Sequence, residues 1–318
     1  MTKKLTILLT CFLLLSECLI LSFSNVALAE TSTIDEANEL AYDIACEFYQ
    51  SNSLRISNVH YLDDVTRIVE FQQNNTDYGF IKIEKKDDNW IPIDFVLEKN
   101  LNIATYLESC TSSATVYNDH SSIFLTKTGD GLTYSSYGVL SRTCKFSESY
   151  IERLTGRYAC AVVALTEIAR QNNVLKNNST ADTFNALWDY TKTTTSYIGS
   201  NGIIYGTTLD LNLLSGMRDY VHDLGYNIIG TFSINPNYKF FQNKINLGYS
   251  CTLFYRLQTK DGKSGHTINV FGWYIYKNSS GKQYKYLAVA DGWHSSTRYI
   301  LYEEIDFVDT YGVAYDIY

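Results

Sequence analysis

The feature that most limits the fold is the order of hydrophobic patterns in the second half of the chain. Apolar residues recur at helical spacing over 160–171, 183–190, 209–224 and 240–245. Strand-like apolar runs follow over 249–257, 267–276, 286–290, 297–302 and 313–318. Helices followed by antiparallel strands predict a segregated α+β domain, which we place over residues 127–318.

A second, smaller unit is predicted in the first half. Thr33 and Glu36 form a capping box at the start of a helix that extends to about residue 50. Strand-like runs follow over 66–71, 78–83 and 90–96. The Ser-, Thr-, Gly- and Asn-rich stretch 108–145 has the composition of a connector. We therefore predict a small α+β pro-region with its connector over residues 30–126.

The first 29 residues have the pattern of a signal peptide. Lys3 and Lys4 precede an apolar run over 5–23, and Ala27-Leu28-Ala29 supplies the small residues that signal peptidases favour. A membrane anchor is the alternative, because the run is almost long enough to span a bilayer. Glu17 interrupts it, so we expect cleavage near Ala29 and a secreted mature protein without a membrane segment.

The charge of the chain argues against several partners. Its formal net charge is −8, and it becomes −9 without the leader, which holds two lysines and one glutamate. Such a chain lacks the basic surface that binds nucleic acid. No P-loop, dinucleotide fingerprint or paired Cys-x-x-Cys motif occurs. We expect no cofactor, no metal and no nucleic-acid partner.

The cysteine count predicts a free thiol. Two of the seven cysteines lie in the leader, and the remaining five cannot all pair within a monomer. Cys110 and Cys144 are candidates for a disulfide, whose geometry sequence cannot establish. Cys46 and Cys251 lie in apolar patterns and are predicted to be buried.

Cys160 is the candidate nucleophile. It follows Gly156 and starts the apolar helix 160–171. At a helix N-terminus the dipole and the free backbone N–H groups favour a thiolate. A core cysteine in an apolar helix is the structural alternative.

His266 is the candidate base. It stands where the loop 259–265 enters a strand, and Gly265 permits close backbone approach beside it. Asp291 ends the next strand, and antiparallel neighbours place such ends side by side. Its carboxylate can then accept from the imidazole, with Trp293 shielding that bond in the cleft. The alternative is an ordinary Asp-Gly turn.

The other histidines are weaker candidates. His222 is predicted on the polar side of its helix, and His60 and His120 lie outside the larger domain. His294 could line the cleft, but no acidic residue follows it as a partner.

Together these residues resemble the papain-like cysteine peptidases. The order Cys160, Gly265-His266 and Asp291-Gly292-Trp293 is most similar to the streptopain and bacteriocin-processing (C39-like) branches. The strands over 77–83 and 91–93 resemble those of a streptopain-type pro-region. The resemblance implies a papain-like fold and a Cys-His-Asp triad that hydrolyses peptide bonds in protein or peptide substrates. It also implies a zymogen-like precursor, with the pro-region as intramolecular inhibitor; a permanent binding module is the alternative.

One departure from that family concerns the oxyanion donor. Papain-like enzymes carry a glutamine about six residues before the nucleophile, where this chain has Leu154. Two further functions therefore stay open. The same Cys-His-Asp order serves acyl transfer in transglutaminases and cell-wall amidohydrolases, and an inactive papain-like scaffold can serve binding or inhibition.

Overall fold

A computed structural model describes residues 36–49, 51, 53–101, 134–259, 262–277, 282–304 and 307–318. The predicted leader, Cys110, His120 and most of the predicted connector lie outside these residues. The chain from Leu40 to Tyr318 forms one compact unit, and the start of the first helix, up to Glu39, is assigned to another. Within the described residues, no helix is long and apolar enough to cross a membrane.

Six α-helices are described: α1 (Glu36–Phe48), α2 (Glu148–Thr155), α3 (Cys160–Gln171), α4 (Thr180–Tyr190), α5 (Asn212–Asp223) and α6 (Tyr238–Asn246). The strands of the first half are β1 (Arg55–Tyr61), β2 (Thr66–Gln73), β3 (Thr76–Lys86), β4 (Asn89–Val96) and β5 (Tyr134–Val139). Three short or peripheral strands follow, β6 (Arg157–Tyr158), β7 (Thr194–Ile198) and β8 (Ile204–Thr207). The later strands are β9 (Ile228–Ile234), β10 (Ser250–Thr259), β11 (Gly262–Lys277), β12 (Gln283–Ala290), β13 (Arg298–Leu301) and β14 (Asp309–Ile317).

One large antiparallel sheet organises the described chain. Its strand order is β1-β2-β3-β4-β13-β12-β11-β10-β14-β9. Strand β10 pairs with residues 262–270 of β11, and β5 pairs with residues 272–277 of the same strand. The predicted α+β class is therefore confirmed, with a sheet larger than expected from the sequence.

The central strands of the sheet are buried on both faces, which explains why they are nearly continuous apolar runs. Helix α3 packs on β10 and β11 with ten of its twelve residues buried, and α4 and α5 complete that side. Helix α6 covers the other face through Tyr238, Phe241 and Ile245. Cys251 is buried there, as predicted, and Cys46 is also buried.

Local signals for several elements were too weak to be read from sequence. The sequence analysis did not predict β1, β5, β9 or the small sheet β6-β8-β7. It also missed α2, which Ser147 caps at its start and Gly156 ends in a left-handed conformation at φ 69°. Gly156 turns the chain directly into β6, and β6 leads to Cys160.

The two halves of the chain share the large sheet. Strand β4 of the first half pairs with β13 of the second, through Tyr299 opposite Phe95 and Ile300 opposite Asp94. The rings of Phe95 and Tyr299 stack at 5.1 Å, and Phe48 meets both edge-on. The first-half strands therefore continue the second-half sheet. That residues 30–126 are cleaved off as a pro-region stays a prediction.

This join predicts how the protein behaves when its connector is cut. A specific protease site placed within 111–130 lies in a stretch whose composition predicts exposure. After cleavage, the two pieces should elute together in size-exclusion chromatography without denaturant, because the β4–β13 pairing and the aromatic contacts remain. Phe95→Ala, which removes the central ring, should let the cut pieces separate more readily. Separate elution of the cut wild-type pieces would contradict this expectation.

Candidate active site

Cys160 is the first residue of α3, as the sequence analysis predicted. The preceding residue, Ala159, is extended and offers no side-chain cap, so the first N–H groups of the helix are left for other acceptors. Cys160 packs against the core beneath α3 but keeps part of its surface exposed. The position combines a helix start with partial access, which a nucleophile requires.

The thiol of Cys160 is not ionised in this arrangement. Burial raises its pKa. Hydrogen bonds from the backbone N–H and the hydroxyl of Thr267, and from the N–H of Ala161, lower the pKa but do not offset burial. The lowering expected from the helix start is therefore present but outweighed by desolvation. At neutral pH the residue is a protonated thiol.

His266 lies on β11 opposite Tyr255 and is buried. Its Nε2 lies 2.8 Å from the backbone carbonyl oxygen of Asp291, and Trp293 stacks on the ring at 3.8 Å and 8°. Burial, opposed by Asp291 and assisted by the charge of Arg298, lowers the pKa of His266 to about 4. The imidazole is therefore neutral at physiological pH, with Nε2 carrying the proton donated to the carbonyl.

The structure brings Cys160 against Thr267, the residue next to His266, and not against His266 itself. Thr267 contacts the Sγ of Cys160 and is the next residue after His266 on β11. Successive residues of a strand point to opposite faces of the sheet. The ring of His266 therefore lies on the face that carries Tyr255, which it meets edge-on, whereas the side chain of Thr267 lies on the other face. Among the described residues, no hydrogen bond joins Sγ to the imidazole. Catalysis would require the ring and the thiol to approach.

Asp291 follows β12 directly and reaches His266, but through an unexpected atom. Its Oδ1 accepts from the backbone N–H groups of Trp293 and His294, both at 2.9 Å. Its Oδ2 contacts Nδ1 of His294 at 2.9 Å and Arg298 at 3.0 Å. The predicted carboxylate–imidazole bond is therefore absent here, because local donors take the carboxylate. Although burial opposes it, His294 and Arg298 hold the pKa of this carboxyl well below its usual range.

The sequence analysis missed two neighbours of this carboxylate. His294 was expected to lack an acidic partner because no acidic residue follows it; its partner is Asp291, three residues earlier. An Asp three residues before a His, across an Asp-Gly turn, is the signal that was available. Arg298 carried no such signal, since it appears only as the first residue of a short strand.

The remaining predicted positions differ in what the structure supports. Trp293 lines a cleft of about 380 Å³ together with His294, Ser147, Ser149, Glu98 and Lys99. A side chain at Gly265 would meet Phe254 only at an ordinary 3.4 Å, so nothing at that position demands glycine. Gly292 has φ 78°, and its carbonyl accepts from the hydroxyl of Tyr158 at 3.3 Å. Leu154 is exposed on α2 and offers no oxyanion donor.

Glu148 adds an unusual acid close to the cleft. It begins α2, and its backbone N–H donates to the carbonyl oxygen of Trp293. Burial, with a contribution from Glu152, raises the pKa of its carboxyl to about 7. Within the described residues, no group of three or more His, Cys, Asp or Glu side chains could hold a metal ion.

No protein-family model matches this chain, and no curated protein matches it either. The interpretation of the site therefore depends on its own geometry and chemistry.

The buried imidazole predicts a specific pH dependence of stability. An exposed histidine in the unfolded chain titrates near pH 6.5, whereas His266 in the folded protein titrates at about 4. Its contribution to stability is therefore complete above about pH 6.5 and is lost as the pH falls towards 4, by roughly 3 kcal/mol. Urea unfolding of wild type and His266→Gln at several pH values should show their difference shrinking over this range. His222→Gln, at an exposed position, is the control, and parallel curves for wild type and His266→Gln would contradict the expectation.

Proposed function

We propose that this protein is a cysteine peptidase of the papain-like type, with Cys160 as nucleophile and His266 as base. The observation that carries the proposal is the contact of the helix-start residue Cys160 with Thr267, which follows His266 on β11. It is supported by the carbonyl of Asp291 and the indole of Trp293, which hold the imidazole. The resemblance noted in the sequence agrees with this assignment.

The proposed reaction uses these groups in a fixed order. His266 takes the proton from the thiol of Cys160, and Sγ attacks the peptide carbonyl carbon to form a tetrahedral intermediate. The proton then passes to the leaving amine, and water hydrolyses the acyl-enzyme. The N–H of Cys160 and the hydroxyl of Thr267 are donors beside the sulfur. They are the groups that we propose for the oxyanion, since Leu154 supplies none.

The resting arrangement is compatible with this chemistry. A neutral imidazole is the form that a base requires, and the second ring nitrogen of His266 has no hydrogen-bond partner among the described residues. Catalytic hydrogen bonds are often long in a protein without substrate and tighten in the complex. We therefore propose that substrate entering beside Trp293 completes the pair. From the signal-like segment 1–29 we propose that the protein acts outside the cell, on protein or peptide substrates.

A second candidate function is a binding or inhibitory protein that has lost catalysis. Two observations favour it, namely the location of the His266 ring on the face of the sheet that carries Tyr255 and not Thr267, and the raised pKa of the Cys160 thiol. Thiol reactivity separates the two functions. A catalytic cysteine should react with iodoacetamide with a pH dependence that His266→Gln removes, whereas a structural cysteine should react slowly in both.

The main test replaces the two proposed catalytic residues. Cys160→Ala and His266→Ala should each lower hydrolysis of a casein or peptide substrate by about 1,000-fold or more, and the double variant should be no worse, because the pair acts as a unit. Cys144→Ala is the matched control, since Cys144 is also a half-buried thiol and burial raises its pKa to about 12. Wild-type turnover in Cys160→Ala would refute the assignment.

Asp291 provides a graded test of the same site. Asp291→Asn keeps an oxygen that can accept from the N–H groups of Trp293 and His294, whereas Asp291→Ala removes every side-chain contact. We expect turnover to fall about 10-fold in Asp291→Asn and about 100-fold or more in Asp291→Ala. Equal, small effects of both changes would reduce Asp291 to an ordinary turn residue.

A further inference from the structure

We propose that Arg298, anchored by Asp94, is a positioning residue for His266, so that the first-half sheet is a permanent part of the candidate active site. This inference rests on the proposed function and names residues that the resemblance did not supply. It also favours the permanent module over the removable inhibitor, the two alternatives that the sequence left open.

The first step is the geometry of a buried three-charge network. Arg298 begins β13, and its guanidinium donates to Oδ2 of Asp94 at 2.5 Å and to Oδ2 of Asp291 at 3.0 Å. All three side chains are almost completely buried. A buried charge that loses its partner is strongly unfavourable, so each member restricts the position of the next.

The second step leads from Asp291 to the imidazole. Its carboxylate accepts from the N–H groups of Trp293 and His294 and so closes the turn after β12. Two groups of that turn contact His266: the carbonyl oxygen of Asp291 accepts from Nε2, and the indole of Trp293 stacks on the face of the imidazole ring. The carboxylate that Arg298 holds therefore determines the orientation of His266 without touching it.

The third step concerns the origin of Asp94. It lies on β4, 204 residues before Arg298, and the two strands pair at this point through Ile300 and Asp94. Loss of residues 30–126 would remove this carboxylate from Arg298 and expose the edge of β13. The candidate site is therefore incomplete without the first-half sheet.

The test uses the full chain and four variants. Asp94→Asn removes the anchor charge with little change of shape, Arg298→Met removes the guanidinium, and Arg298→Lys keeps the charge but not the two-sided geometry. Glu303→Gln is the matched control, because Glu303, just after β13, forms a partly exposed ion pair with Lys285 of β12. Thermal unfolding monitored by circular dichroism first establishes which variants fold.

Proton NMR of the histidine rings gives a readout that is independent of activity. The stacked indole of Trp293 should shift the ring protons of His266 upfield, and His266→Gln identifies these signals by their loss. Asp94→Asn and Arg298→Met should lose most of this upfield shift, Arg298→Lys should lose part of it, and Glu303→Gln should keep it. If Asp94→Asn and Arg298→Met do not fold, Arg298→Lys decides the question.

Kinetics separate this proposal from the proposed function. In an active protein, Asp94→Asn and Arg298→Met should lower kcat about 10- to 100-fold while KM changes less than about threefold. Loss of the ring shift in a protein that never hydrolyses peptides would support positioning and refute the peptidase. Wild-type ring shifts and kcat in folded Arg298→Lys and Asp94→Asn would overturn the positioning role and leave the peptidase intact.

Discussion

The burial of helix α3 against β10 and β11 is the constraint on which the candidate site depends. Because nearly the whole helix is inside the protein, its first residue cannot move independently of the sheet. Glu167 also ties the helix to the segment before α2, because its carboxyl accepts from the N–H of Phe146 at 2.7 Å. Burial raises the pKa of Glu167 well above its usual value. Cys160 is thereby fixed on Thr267.

The buried charges contribute orientation more than net stability. Ion pairs inside proteins repay their desolvation only when their geometry is good, and apolar replacements are often as stable. An apolar contact between β4 and β13 would thus hold the sheet together about as well as Asp94 and Arg298 do. What an apolar contact cannot do is direct the carboxylate of Asp291. That distinction is why we assign the network to the site and not to the sheet.

Local pattern in the sequence was sufficient for the elements that carry the site. The helix starting at Cys160 matches its predicted bounds, and the adjacency of the β11 start and the β12 end brought Asp291 to His266. The prediction named the wrong oxygen of Asp291, because His266 contacts the backbone carbonyl and not the carboxylate. The adjacency of two strand ends does not show that backbone N–H groups of the following turn bind the carboxylate.

The long-range features were not predictable in this way. Pairing of β4 with β13 depends on contacts between residues about 200 positions apart. Hydrophobic periodicity predicts local helices and strands but not which distant strands pair. The ionic link of Asp94 to Arg298 followed the same pairing and was missed for the same reason.

The electrostatics of the resting site show what activation must overcome. An ordinary thiol has a pKa near 8.5, and burial raises the pKa of the Cys160 thiol. The pKa of His266 is lowered to about 4. Moving the proton from sulfur to imidazole in the resting protein is therefore strongly unfavourable, since the thiol pKa is raised and the imidazole pKa is lowered. Separate formation of the ion pair is too costly, so proton transfer should accompany attack on the substrate or follow a change in the ring's surroundings.

The same network that orients the imidazole affects this barrier. The positive charge of Arg298 lowers the pKa of His266 and thus opposes its proposed role as a base. The carboxylates of Asp94 and Asp291 both pair with that guanidinium. Their negative charges reduce the positive electrostatic potential of Arg298 at the imidazole ring. An arginine alone would position the turn but weaken the base. The carboxylate contributed by β4 allows the arginine to position the site with less of this penalty, which ties the first half of the chain to the chemistry of the second.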